Sequence, residues 1–262
     1  MANLFDSHTH ITNEEADALA YLPDVELAKE YGVEKAMMVF TDKKELPAYE
    51  ILKDTHHFDF AYGLYPDKAD TVTEQDYLDL KHELLTGKYC ALGEIGVDYH
   101  YYPDTKEAQK AMFKRQVELA DELNLPIIIH ARDGIADTYE ILKNTPCRRK
   151  GVMHCYSGSF EMAREFIKLG YFISFSGTVT FKNNRRGVET LKGIDHHFML
   201  CETDAPFLTP VPLRGQPNKS AYVKYVYEFC AEQIGMDLEE FKALIKDNYQ
   251  RLFKKQSSSL ID

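Results

Sequence analysis

Eight strand-length apolar runs, each followed by a charged stretch with helical spacing, constrain this chain more than any single residue does. The runs lie near residues 3–8, 33–40, 58–65, 89–96, 126–130, 150–155, 172–177 and 198–203. The clearest helix falls between Glu107 and Asn124, where Ala111, Met112, Gln116, Leu119, Ala120 and Leu123 recur near the 3.6 period. Asn124-Leu125-Pro126 stops that helix and launches Ile127-Ile128-Ile129, an uninterrupted apolar run of the kind found in parallel strands covered on both faces. Alternation of this kind predicts an α/β fold with a parallel sheet. Eight βα units favour closure into a TIM-type (β/α)8 barrel over an open doubly wound sheet, and no Gly-x-Gly-x-x-Gly follows the first run.

Beyond the eighth run, a loop containing Pro206, Pro210, Pro212 and Pro217 leads to two extra C-terminal helices, about 219–234 and 237–254, expected to cap the barrel. The 262 residues and 44% hydrophobic content suit one barrel of this size. A single domain is expected over residues 1–255, with a disordered tail over 256–262. The net charge of -11 argues against broad adhesion to nucleic acid and leaves a local basic patch open. With no basic stretch leading into an apolar segment at the start, and no apolar run of roughly 20 residues, a cytoplasmic protein without a membrane partner is expected. The five cysteines (Cys90, Cys147, Cys155, Cys201, Cys230) are odd in number and form no Cys-x-x-Cys, so they read as reduced thiols.

In such a barrel the working residues sit at the carboxyl ends of the strands. Asp6-Ser7-His8-Thr9-His10 closes the first run, and strand alternation points both imidazoles to one face, where they suit a divalent metal. Alone, the pair would sooner suit turn histidines bonded to backbone. Four later runs, however, also end in a histidine or carboxylate: Glu94, His130, His154 and Asp204. Glu94 lies among apolar neighbours, where an ionised carboxylate costs several kcal/mol unless a cation or strong donors meet it. A lysine or arginine inside the barrel would meet that need; so would a metal.

Four histidines and two carboxylates exceed the needs of one four-coordinate zinc, which points to two divalent ions sharing a carboxylate, with Glu94 as the bridge. Asp204 would face the first run's histidines across the closure, able to bind metal and to take a proton. An imidazole-rich set favours Zn²⁺ or Mn²⁺ over Mg²⁺. Asp6 and Glu202 share strand parity with His8 and Asp204, so each is expected to orient a ligand or a water. Cys155, next to His154, is expected to face away into the wall. His56, His57, His82, His100, His196 and His197 read as surface residues, with His100 the one placed for substrate contact. Arg132, Lys182, Arg185, Arg186, Arg214 and Lys219 follow strands five, seven and eight, as a phosphate-binding rim or as solvated loop charge.

These motifs resemble the TatD family of metal-dependent hydrolases across nearly the whole chain. The stretches are Asp-Ser-His-Thr-His at 6–10, Ala-Leu-Gly-Glu-Ile-Gly-Val-Asp-Tyr at 91–99 and Leu-Pro-Ile-Ile-Ile-His-Ala-Arg-Asp at 125–133. Gly-Val-Met-His-Cys-Tyr-Ser-Gly-Ser at 151–159 and Glu-Thr-Asp-Ala-Pro-Phe-Leu-Thr-Pro at 202–210 complete the set. The resemblance implies one metal held by His8, His10, Glu94 and Asp204 and a second by Glu94, His130 and His154. The two divalent ions would be zinc, manganese or magnesium. It also implies DNA hydrolysis, often as a 3′-to-5′ exonuclease. The implied reaction is phosphodiester hydrolysis by an activated water, with Asp204 accepting its proton, Glu94 bridging, and Tyr65, Arg132 and Arg214 meeting the substrate, DNA or another phosphodiester. No obligate protein partner is indicated. Where the family commonly has Gly-x-His-Pro-His, this chain reads Gly63-Leu64-Tyr65-Pro66-Asp67. Tyr65 offers one neutral hydrogen bond in place of an imidazolium. That departure keeps open hydrolysis of a small-molecule ester or amide, and, further off, a metal-binding interaction module without catalysis.

Overall fold

In the computed structural model, residues 3–11 and 17–254 are described; the expected tail at 256–262 lies outside them. Eight parallel strands form one sheet in sequential order: β1 (Leu4–Thr9), β2 (Val33–Phe40), β3 (Phe58–Tyr62), β4 (Ala91–Asp98), β5 (Ile127–Arg132), β6 (Gly151–Met153), β7 (Phe172–Phe175) and β8 (Met199–Cys201). The helices between them are α1 (Ala18–Glu30), α2 (Tyr49–Leu52), α3 (Glu74–Leu85), α4 (Lys106–Glu122), α5 (Ile135–Asn144), α6 (Phe160–Lys168) and α7 (Arg185–Gly193); α8 (Val223–Ile234) and α9 (Leu238–Phe253) follow β8. No helix among the described residues is long and apolar enough to cross a membrane.

The seam between first and last strands is narrow. Thr9 and Ala205 form a single parallel bridge, the His10 amide donates to the Ala205 carbonyl at 2.9 Å, and the Asp204 amide donates to the His8 carbonyl at 2.9 Å. Closure therefore sets the histidines of β1 directly against Asp204. Asp6 reinforces it: its carboxylate accepts from the Thr203 amide (2.9 Å), the Thr203 hydroxyl (2.7 Å) and the Ser220 hydroxyl (2.7 Å). α9 lies across the strand starts. Its Tyr249 ring sits 5.0 Å from Phe5 and bonds Asp59 at 3.0 Å, and Asn248 donates to the His196 and Met199 carbonyls, both at 2.8 Å.

Two register shifts matter for function. Between Asp6 and Thr9 the first strand advances three residues while β2 advances two, from Ala36 to Met38. Between Leu92 and Ile95 the fourth does the same against Ile127 and Ile129 of β5. Each is a bulge, which re-aims side chains that simple alternation would send elsewhere. At the first, Ser7 meets Ser174 of β7 at 3.0 Å across the interior, and Asp6 turns to Thr203, Ser220 and, at 3.3 Å, the backbone amide of His8. The second lies at Glu94, which sits within β4 rather than at its end.

α4 carries the strand ends on two glutamines. Its buried face is Gln109, Met112, Phe113, Gln116, Val117 and Ala120; Ala111, expected on that face, is exposed. Gln116 grips Leu64 through both its amide (2.8 Å) and its carbonyl (2.9 Å), and Gln109 accepts from the Asp98 amide at 2.7 Å. Each bond contributes about 1 kcal/mol net, and a glutamine lost from this face would leave buried backbone groups unpaired at a higher cost.

One histidine departs from the surface reading. His57 is buried just before β3, edge-on to Phe58 at 4.8 Å, with its Nε2 unpartnered. Burial pushes its pKa down to about 4 from an ordinary value of 6.5. Protonation of the unfolded chain below pH 6.5 therefore draws the protein toward unfolding, and the loss continues until the folded ring protonates near pH 4. Between pH 7.5 and 5 this costs about 2 kcal/mol. Urea unfolding at the two pH values should show a His57→Leu protein losing that much less stability than the parent; equal losses would refute the assignment.

Candidate metal centre

Two imidazole pairs face each other across one carboxylate. In the β1 pair, His10 Nδ1 donates to the Val39 carbonyl at 2.9 Å, which fixes the tautomer and leaves the Nε2 lone pair free. That Nε2 lies 3.1 Å from His8 Nε2. Glu94 Oε2 is 3.4 Å and 3.6 Å from the two nitrogens, and Asp204 Oδ1 is 3.9 Å and 3.7 Å from them.

The second pair is built the same way from β5 and β6. His154 Nδ1 donates to Glu202 at 3.1 Å and turns Nε2 to Glu94 Oε1 at 2.7 Å. His130 is reversed: its Nε2 donates to Asp98 Oδ2 at 3.0 Å and its Nδ1 faces Glu94 Oε1 at 2.8 Å. The two inward nitrogens are 3.3 Å apart. The halves touch through the stacked His8 and His154 rings, whose centroids are 4.0 Å apart.

These separations suit a shared cation. Two nitrogens bound tetrahedrally at about 2.0–2.1 Å stand roughly 3.3 Å apart, close to the spacing in both pairs. Three groupings, His8–His10–Asp204, Glu94–His130–His154 and His8–His154–Glu202, bring ligand atoms within 4.8 Å of one another. The donor chemistry, neutral imidazole with carboxylate, fits divalent metal ions.

Electrostatics follow from the burial. Burial alone would raise the Glu94 carboxyl, but the charge and hydrogen bonds of His154 and the bonds from His130 and His8 outweigh it and hold it well below the usual range. Burial likewise opposes the His154 charge, yet Glu94 and Glu202 keep its pKa well above an ordinary imidazole's. His8 is pushed down to about 4 by burial, and Asp204 up to about 6 by the same cause.

The six expected residues thus converge, and one neighbour was not foreseen. Glu202, expected to orient a ligand or a water, bonds His154 and also accepts from the Cys155 amide at 2.6 Å. Asp98 was missed: it is fully buried, bonds His130, and holds the His100 and Tyr101 amides at 3.0 Å and 2.9 Å. Its signal was present, since Glu94, Gly96 and Asp98 alternate along one strand. Gly96 is required between them, because at φ +143 an added Cβ would collide with the His130 carbonyl.

Tyr65 reaches the centre, its hydroxyl 3.3 Å from His130 Nε2 and 3.5 Å from Asp98. Arg132 and Arg214 lie instead on rings, 4.7 Å over Tyr101 and 3.7 Å over Phe181. Lys182, Arg185 and Arg186 are exposed beside them, whereas Lys219 pairs with Asp24 at 2.6 Å. His100 is exposed and 3.4 Å from Asp133. Cys155 Sγ meets Ser176 at 3.1 Å and joins none of the groupings. Hollows of about 240 Å³, at the strand starts beside His57, and about 190 Å³, beside Tyr62 and Asp76, are lined by none of His8, His10, His130 and His154.

Comparison with known proteins points to one family. The family described as "TatD related DNase" matches residues 5–254. The uncharacterized metal-dependent hydrolase YabD of Bacillus subtilis is 41% identical, covering 96% of this chain and 99% of its own. The uncharacterized metal-dependent hydrolase YcfH of Escherichia coli K12 is 35% identical, covering 98% of each. Among solved structures, YJJV, a TatD homolog from Escherichia coli K12, superposes with a TM-score of 0.89 at 26% identity, over 97% of this chain and 98% of that one.

At Zn²⁺ or Mn²⁺ a hundredfold above the dissociation constant, binding stabilises by about 2.7 kcal/mol. For a chain of this size the melting temperature then rises by roughly 5–10 °C. Glu94→Gln is expected to abolish most of that rise in scanning fluorimetry; an undiminished rise would place the cation elsewhere. Uptake weakens as the pH falls through about 6, where Asp204 gains a proton, so calorimetric affinity should be lower at pH 5.5 than at 7.5.

Proposed function

The chain belongs to the TatD family of metal-dependent hydrolases, and on that premise we propose that it hydrolyses phosphodiester bonds in DNA, in the manner of a 3′-to-5′ exonuclease, with two divalent ions. The observation that carries this reading is Glu94, which turns one carboxylate oxygen to each imidazole pair. His8, His10, Glu94 and Asp204 hold one ion; Glu94, His130 and His154 hold the other. Zinc, manganese and magnesium are the candidates, with the imidazoles favouring the first two. Bound ions of this kind lower the pKa of a water and neutralise charge on the phosphate oxygens.

The protein's own groups supply the rest. Asp204 accepts the proton of the attacking water: its side chain is 13% exposed against 4% for Glu94, so it is the carboxylate of the two that is open to the cleft. Its backbone is held at φ +56, a region non-glycine residues seldom adopt, as found where a side chain is aimed for chemistry. The Tyr65 hydroxyl, kept protonated by burial, donates to a substrate oxygen. Asp98 and Glu202 hold the His130 and His154 rings so that one nitrogen of each stays directed inward. Arg132 and Arg214, with Lys182, Arg185 and Arg186, draw the phosphate chain to an otherwise acidic molecule.

Single-stranded DNA labelled at its 5′ end, incubated with Mn²⁺, Mg²⁺ or Zn²⁺, should shorten from the 3′ end. Asp204→Asn is expected to lower turnover 10²- to 10⁴-fold, and Tyr65→Phe by about tenfold through one lost hydrogen bond. Absence of hydrolysis with every ion, together with turnover of a simple aryl ester, would favour the small-molecule hydrolase instead.

A further inference from the structure

Two large aromatic rings stand in solvent at the mouth of the barrel, Tyr101 at 62% and Phe207 at 61% exposure. Both are tied to the centre. The Tyr101 amide donates to the Asp98 carboxylate at 2.9 Å, and that carboxylate bonds His130; the Phe207 amide donates to the Asp204 carbonyl at 2.9 Å. Tyr101 follows β4 and Phe207 follows β8, four strands away in a ring of eight, so the rings flank the opening from opposite sides. A barrel of this strand number is on the order of 15 Å across, a span bridged by a short length of unpaired strand.

Resting on the phosphodiester reading above, we infer that Tyr101 and Phe207 are nucleobase-stacking platforms on either side of the scissile phosphate. One cation lies against the Tyr101 platform, and another belongs to the loop that carries Phe207. The Arg132 guanidinium lies 4.7 Å over Tyr101, the His100 ring is edge-on to it at 4.9 Å, and Arg214 lies 3.7 Å over Phe181 in the neighbouring loop. Stacking on an aromatic face with a flanking cation is the mode by which single strands are held without sequence preference.

The chain has no tryptophan, so Phe207→Trp introduces one reporter at the platform. In Mn²⁺-loaded protein stopped by Asp204→Asn, oligothymidylate should quench its emission, and an abasic oligomer of equal length should not. In kinetics, the kcat/KM for the base-bearing oligomer should exceed that for the abasic one by roughly five- to a hundredfold. That ratio should shrink toward one in Tyr101→Ala and Phe207→Ala, mainly through KM, and be retained in Tyr101→Phe. Equal quenching by both oligomers, or a ratio unmoved in both alanine variants, overturns the stacking inference and leaves the phosphodiester reading standing. Failure of the parent protein to cleave either oligomer overturns that reading, and this inference with it.

Discussion

A single buried carboxylate organises the molecule. Glu94 sits within β4, its ion-pair partners among the described residues are all histidines, and their nitrogens are what keep it ionised in its buried place. Those imidazoles are in turn held by acceptors behind them: the Val39 carbonyl for His10, Asp98 for His130 and Glu202 for His154. The arrangement is a charge and its compensation nested in two layers. Removing any member leaves a buried donor or acceptor unmatched, at a cost of about 1–3 kcal/mol before any function is considered.

Ordinary barrel geometry would not produce it. Regular alternation sends neighbouring side chains to opposite faces, and the bulges at Ser7–His8 and Gly93–Glu94 put the needed side chains inside. Scaffold groups then fix what the bulges aim. Gln109 and Gln116 on one face of α4 clamp the ends of β4 and the β3 loop, so Asp98 and Tyr65 are carried by the same helix. Asp6 fastens Thr203 and thereby Asp204.

Much of this was legible in the residues alone. Eight apolar runs with helical stretches between them specify a parallel sheet, and histidines and carboxylates recurring at run ends identify the rim on which they gather. What periodicity could not convey was any departure from periodicity. The bulge at Ser7–His8 gives Asp6 the Ser220 hydroxyl and the His8 amide as partners, and Glu202 bonds His154 together with the amide of Cys155, where the chain turns at φ 43. Asp98 was hidden behind the more conspicuous Glu94, and His57 behind the polarity of the segment around it. Long side chains were the least legible: Arg132 and Arg214 settle on aromatic rings and Lys219 on Asp24, contacts set by loops whose course no local pattern encodes.

The seam between β1 and β8 has a consequence for biosynthesis. Asp6 and Thr203, which it joins, are 197 residues apart, and Asp204 comes to His8 and His10 only through that junction. Translation delivers Asp204 after every imidazole of the cluster, so a truncated product that stops before β8 carries all four imidazoles and Glu94 but lacks the second carboxylate and the seam that brings it to them.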